Sequence, residues 1–262
     1  MSSTLKYDSS GRPALPADEV HVWCAVLDLA SPEVARLEET LAKDERERAA
    51  RFHFENDRKN FVVARGALRN ILGRYLDRDP AGVPFSYGPC GKPALFLDSK
   101  RPQLHFNLAH CSDYALYAIT RNREVGIDVE RIEQDRDYLE VARRFFSRNE
   151  FSALCILPIS ARIEAFFGGW TCKEAYAKAC GKGLRCLDGF DLSLDARPPL
   201  ELSDGRGRTW SLHTLIPAPG YVAAIVVQGS DCKPRLYQWR PICEPRELPL
   251  EAIAGRFGPI SI

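Results

Sequence analysis

Charge of one sign, long apolar runs and paired cysteines are all scarce in this chain of 262 residues, and each scarcity removes a class of protein. The 36 Lys and Arg against 35 Asp and Glu leave a formal charge of +1, which excludes the strongly basic surface of a general nucleic-acid binder. The longest near-uniform apolar run, Tyr221 to Val227, is far too short to cross a bilayer, and Met1 to Asp18 lacks the basic-then-apolar order of a secretory leader. The nine cysteines are odd in number, scattered and never spaced C-x-x-C, so they read as reduced thiols. These features predict a soluble cytoplasmic protein with neither a membrane nor nucleic acid as partner. Ser-His-Asp order, H-E-x-x-H, a P-loop and G-x-G-x-x-G are also missing, which removes the common hydrolase, zincin and nucleotide-loop signatures.

What is present is an ordinary globular composition, 45% apolar and 27% charged, with a pattern of elements used twice. In the first round, His21 to Leu29 is a strand, Pro32 to Ala50 a charged helix with Ser31 as its cap, and Arg58 to Leu76 an amphipathic helix. A Gly/Pro-rich loop, 82–93, leads into strands at 104–108 and 114–120. The second round runs through a strand at 125–131, helices near 138–144 and at 163–180, and strands at 209–215 and 221–227. The expected fold class is α+β, a pseudo-dimer of two similar halves with a ligand cleft between them. The boundaries read as a flexible lead-in at 1–19, an N-terminal half at 20–122, a C-terminal half at 123–242 and a tail at 243–262.

Two segments carry most of the chemistry. In Val125-Gly-Ile-Asp-Val-Glu-Arg131 the apolar residues alternate, so Asp128 and Glu130 point to the same side of a strand. Two carboxylates so placed are either solvated or occupied by a cation. In Trp170-Thr-Cys-Lys-Glu-Ala-Tyr-Ala-Lys178, an aromatic anchor, Glu174 and Lys178 share one stripe of a helix, and three acids converge if that stripe faces the strand. Glu174 and Lys178 are also the favoured spacing for a plain surface ion pair. Lys173 lies about 100° round the helix from Glu174, so one of the two lysines is left for a phosphate.

Other candidates are weaker singly. His110 follows a strand and is either a surface residue or a ligand contact, with Asn107 placed to pin its loop. Lys92, next to Pro93, is conformationally restricted in a way that suits a phosphate. Arg48 and Arg51 lie in a run of alternating charge whose bland reading is a solvated helix face.

Phe106-Asn-Leu-Ala-His110, Gly126-Ile-Asp-Val-Glu130 and the 170–178 segment with Gly181-Lys-Gly-Leu184 together resemble the 4′-phosphopantetheinyl transferases, of the long surfactin-synthetase-activating type. The resemblance covers roughly residues 20–230. It implies a two-half fold and transfer of the phosphopantetheine arm of coenzyme A to a serine of an acyl or peptidyl carrier protein, releasing adenosine 3′,5′-bisphosphate. It further implies Mg²⁺ on Asp128, Glu130 and Glu174, Glu174 as base and Lys178 as phosphate partner. Coenzyme A is expected against Arg48, Lys92, Asn107, His110, Asp128, Lys173, Glu174 and Lys178, with Lys92, His110 and Arg48 holding the adenosine and its 3′-phosphate. The pseudo-dimer implies a monomer in solution. Two departures stand out: Ala109 and Cys111 flank His110 where many relatives have serines, and Val129 leaves the acid triplet with two acids. The alternatives are a Mg²⁺-dependent coenzyme A or nucleotide pyrophosphatase, and a non-catalytic coenzyme A binding and carrier-docking module.

Overall fold

The computed structural model describes residues 5–88, 91–96, 103–134, 137–187, 190–192, 200–204, 207–241 and 246–247. In chain order, strand β1 (Glu19–Val26) is followed by helices α1 (Ser31–Glu39), α2 (Lys43–Ala49) and α3 (Glu55–Leu76). The hairpin of β2 (Phe85–Tyr87) and β3 (Pro93–Leu95) precedes β4 (Leu104–Cys111), β5 (Tyr114–Arg121) and β6 (Val125–Arg131). Helices α4 (Tyr138–Phe145), α5 (Arg148–Ile156) and α6 (Ile159–Cys180) come next. Strands β7 (Leu200–Ser203), β8 (Thr209–Leu215), β9 (Tyr221–Gln228), β10 (Lys233–Trp239) and β11 (Arg246–Glu247) follow.

The duplication is visible in the strand order. One sheet runs β11-β10-β1-β5-β4 and the other β6-β9-β8-β7, so first, last and middle strands of each half sit in the same sequence. Alternation along the strands gives each sheet two buried faces. Val20, Val22, Leu116 and Ala118 of one sheet meet Val125, Ile127, Val129, Ala223 and Ile225 of the other in a shared core. On the outer faces, Trp23, Tyr117 and Ile119 pack on α3 through residues such as Leu68 and Ile71. Leu212, Ala224 and Val226 pack on α6 through Cys172, Ala175 and Ala179. The result is helix, sheet, sheet, helix, an α+β body with its halves back to back.

Several expected elements differ. The single helix expected at 32–50 breaks at Thr40, which caps α1 with its hydroxyl on the Leu37 carbonyl (2.6 Å), and restarts at Lys43. Ser31 is the first helical residue rather than the cap; Ala30 stands at the cap position, and its N–H is taken by the Glu33 carboxylate. Helix α5 has no counterpart among the elements expected from the sequence, although its Ser147-x-x-Glu150 capping box is a sequence signature. Strand β10, inside the segment expected to form the second half, pairs in parallel with β1 of the first. The halves therefore share a strand, and chain 233–239 ties them beyond the core. Of the expected tail at 243–262, only 246–247 lie among the described residues, as β11.

Helix α6 rests on β6 at Gly126, and the fit is tight. A Cβ there would lie 2.0 Å from the Ala175 carbonyl oxygen and 2.4 Å from the Ala179 nitrogen, both backbone atoms that no rotamer change can move. Glycine is thus required for the helix to reach the strand. Gly126→Ala is expected to lower stability by about 3 kcal/mol or more, the upper end of overpacking costs, read as a fall in urea midpoint. An unchanged midpoint would show that the helix does not need this approach.

Candidate active site

Because α6 lies directly over β6, the two residues after Gly126 on the same strand face are presented to the helix. The Lys178 ammonium donates to Asp128 Oδ1 at 2.6 Å. Asp128 is buried, and its other oxygen, Oδ2, has no hydrogen-bond partner. Glu174, one turn before Lys178, is half-buried, and burial raises its carboxyl pKa above the ordinary glutamate range. The Asp128 charge adds to that shift and the Lys178 charge opposes it. Asp128, Glu174 and Lys178 therefore form one electrostatic unit.

Glu130 sits further along β6, half-buried, with the Cys111 thiol 4.0 Å from its Oε2. The unusual Cys111 thus meets one of the acids. Among the described residues, no group of three or more His, Cys, Asp or Glu side chains is placed to hold a metal ion by itself. The three acids line one side of β6 and α6 without closing into a cage.

Lys92 and Asn107 join the halves. Asn107 is buried on the edge strand β4, and its Oδ1 accepts the Ile127 N–H of edge strand β6 at 2.9 Å. An otherwise unpaired backbone donor is satisfied, so the Asn107 carbonyl oxygen is committed to the fold rather than to a ligand. The Lys92 ammonium donates to the Lys178 carbonyl at 2.7 Å and reaches the Val125 carbonyl at 3.4 Å, with Glu124 at 3.9 Å. Burial holds its pKa below the usual lysine value, with Glu124 opposing. A cavity of about 260 Å³ between the halves is lined by Lys92, Asn107, Glu174, Lys178 and Leu184. On the far side of Lys92 a second cavity, of about 450 Å³, is lined by His105, Glu124, Cys180 and Arg208.

His110 lies at the end of β4, reached by solvent yet hemmed in by protein, and burial first and then the charges of Lys178, Arg48 and Arg65 hold it below the usual imidazole pKa. Arg48 is exposed on α2 with its guanidinium 5.2 Å from the Phe61 ring centre. Arg65, which drew no attention in the sequence, belongs to the same positive field. It looks like one more polar residue of an amphipathic helix.

Lys173 is not in the cleft. Its ammonium is buried 2.8 Å from Glu150 Oε2, donates to the Phe190 carbonyl at 3.3 Å, and lies between the rings of Phe146 and Phe190. Glu150 also takes the Ser147 and Leu192 N–H groups. The pair fastens α5 and the 190–192 segment to α6, on a face of the helix that only α5 could reveal.

The folded protein binds a proton that the unfolded chain has released, so ionised Glu174 weakens the fold above its folded pKa, and the penalty disappears as pH falls to about 4.5. Glu174→Gln is expected to melt higher than wild type at pH 7, with the gap closing toward pH 4.5. A gap that is absent or that widens on acidification would refute the shift.

Two family models match the chain in tandem. The "4′-phosphopantetheinyl transferase, N-terminal" model covers residues 30–122 and the "4′-phosphopantetheinyl transferase superfamily" model covers residues 124–226. Their junction falls between β5 and β6, where the fold passes from one half to the other. The chain is 39% identical over 225 residues to the 4′-phosphopantetheinyl transferase HetI of Nostoc sp. (strain PCC 7120), covering 86% of this chain and 94% of that protein. It is 29% identical over 206 residues to the 4′-phosphopantetheinyl transferase Sfp of Bacillus subtilis (strain 168), covering 78% and 89% respectively. With both halves matched in order and nearly the whole length of HetI spanned, the chain belongs to the 4′-phosphopantetheinyl transferase superfamily.

Proposed function

We propose that this protein transfers the 4′-phosphopantetheine arm of coenzyme A to a serine of apo acyl or peptidyl carrier proteins, releasing adenosine 3′,5′-bisphosphate. The observation that carries the reading is the unit of Asp128, Glu174 and Lys178, of which Glu174 and Lys178 line the cavity between two halves of a fold whose relatives are named for this activity.

The residues fit Mg²⁺. The donors are hard oxygens, and Asp128 Oδ2 is a buried acceptor without a partner. Mg²⁺ usually takes only one or two carboxylates and completes its shell with water and substrate phosphates, so a three-residue cage is not needed. Asp128 and Glu174 would hold it, with Glu130 as a third oxygen from the strand. When bound, the ion neutralises charge on the pyrophosphate in the transition state.

In the transfer, the carrier serine oxygen bonds to the β-phosphorus of coenzyme A and the bond from that phosphorus to the bridging oxygen breaks. The bisphosphate leaves with the electron pair. Glu174 takes the serine proton, a task helped by its raised pKa. Lys178, which donates to Asp128, would exchange that partner for a phosphate oxygen, where its charge stabilises the transition state. His110 and Arg48 would hold the adenosine end, beside the wall that Lys92 fixes through its bond to the Lys178 carbonyl. The carrier is placed on the second half, where Arg143, Arg144, Arg148, Lys182 and Arg185 are all exposed. Leu184, in the same turn as Lys182 and Arg185, lines the cavity beside Glu174.

A monomer follows from two halves that supply both walls of the cleft within one chain. A cytoplasmic site of action without nucleic acid is in keeping with a net charge of +1.

Incubation with coenzyme A, Mg²⁺ and an apo carrier is expected to add one phosphopantetheine mass to the carrier, and Asp128→Ala and Glu174→Ala to abolish the gain with the fold intact. Release of free 4′-phosphopantetheine without a carrier would instead identify a pyrophosphatase. Transfer at the wild-type rate in both variants would overturn the site.

A further inference from the structure

Two of the free thiols lie together at the end of α6, outside the transfer chemistry. Cys180 is the last residue of that helix, and Cys186 lies in the short 3₁₀ turn Gly183–Leu187. Between them Gly181-Lys-Gly-Leu-Arg185 doubles back, with φ of 68° at Gly181 and 63° at Gly183, left-handed values that a residue with a side chain adopts only under strain. The turn brings the two sulfurs within hydrogen-bond reach of each other. Both side chains are partly open to solvent.

The surroundings of the two sulfurs differ. Arg208 Nη2 donates to Cys180 Sγ at 3.9 Å, and the Tyr176 hydroxyl also bonds to that sulfur. Arg208 is itself held in place, its Nε 2.7 Å from Asp204 Oδ2 and its guanidinium 5.0 Å from the Trp210 ring centre. The hydrogen bond from Cys186, that from Tyr176 and the charge of Arg208 bring the Cys180 pKa down to about 6, against the opposing effect of burial. Cys186 is pushed up, first by that same hydrogen bond and then by burial, and its Sγ lies 3.0 Å from a second acceptor, the Gly183 carbonyl oxygen. One sulfur is thus an anion and its neighbour keeps a proton. Elsewhere desolvation raises the buried Cys24, Cys172 and Cys232, and Cys111 as well. Cys180 instead lines the cavity of about 450 Å³ together with Arg208, ample room for a reagent little larger than water.

We infer that Cys180 and Cys186 are a peroxide-reactive pair, Cys180 the attacking sulfur and Cys186 the resolving one, which closes a disulfide across the 181–185 turn. The inference stands apart from the transfer reaction. In the first step the Cys180 thiolate attacks one oxygen of hydrogen peroxide: the S–O bond forms, the O–O bond breaks, and the departing hydroxide takes a proton from solvent and leaves as water. The Cys186 sulfur then attacks the Cys180 sulfur, the S–O bond breaks, and the hydroxide leaves as water with the Cys186 proton. Each sulfur gives up one electron and the peroxide gains two. The bond would tie the end of the helix bearing Lys178 to the turn bearing Leu184, two residues that line the smaller cavity.

The test treats the reduced full-length chain with hydrogen peroxide, alkylates the remaining thiols, and maps a digest by mass without reductant. In wild type, peptides joined through Cys180 and Cys186 are expected, lighter by two hydrogens than the reduced pair. In Cys186→Ser, Cys180 should keep the added oxygen and take a dimedone label. In Cys180→Ser, Cys186 should keep its thiol at the same dose. A pair that stays reduced while the exposed Cys155 is oxidised would overturn the proposal, because exposure alone would then decide reactivity. Separate oxidation of the two sulfurs without a joined peptide would overturn it too. A dimedone label on Cys186 in Cys180→Ser would contradict Cys180 as the attacking sulfur. The wild-type map decides the matter even if neither variant folds.

Discussion

The contact between helix α6 and strand β6 at Gly126 is the constraint on which the site depends. Backbone meets backbone there, with the Ala175 carbonyl and the Ala179 nitrogen occupying the space a side chain would need. Two residues along the strand and one turn along the helix, the same approach puts the Asp128 carboxylate 2.6 Å from the Lys178 ammonium. The distance between helix and strand is set by the absence of a methyl group. The positions of the acid and base follow from it.

Around this contact the two halves are fastened by polar groups as well as by the apolar core between the sheets. Asn107 closes a backbone donor of β6, Lys92 bridges the end of α6 to the start of β6, and β10 crosses to the other sheet. Each of these fixes the width of the cleft. The buried Lys173–Glu150 pair does the same for the outer side of α6. Residues with polar side chains thus divide into those that build the cleft and those that face into it, and adjacency in sequence does not sort them: Lys173 builds, Glu174 faces in.

Local pattern was legible where it was strict. Alternation over Val125 to Arg131 gave β6 with the bounds found in the structure, because both faces of that strand are specified. The i, i+4, i+8 stripe of Trp170, Glu174 and Lys178 was read correctly as one face of a helix, and Trp170 is the anchor, packed on Phe145 and Phe166. The repeat was legible because each half keeps its own local order. Long-range pairing was not. Nothing local in Lys233–Trp239 says that it joins β1 in parallel, since the partner lies in another half and the hydrogen bonds are backbone to backbone. Lys173 was misplaced because its partner sits on a helix that had not been recognised, and Arg65 was missed because its pairing with Glu45 exists only after α2 and α3 are brought together.

Asp128 and Glu174, from different elements, act as one unit. Single-turnover transfer by Asp128→Asn, Glu174→Gln and the double variant measures this directly. Residues that act together lose their contribution once, so the double variant should be within about tenfold of the slower single variant. A double variant whose loss is the product of the two single losses would show that the two carboxylates act independently.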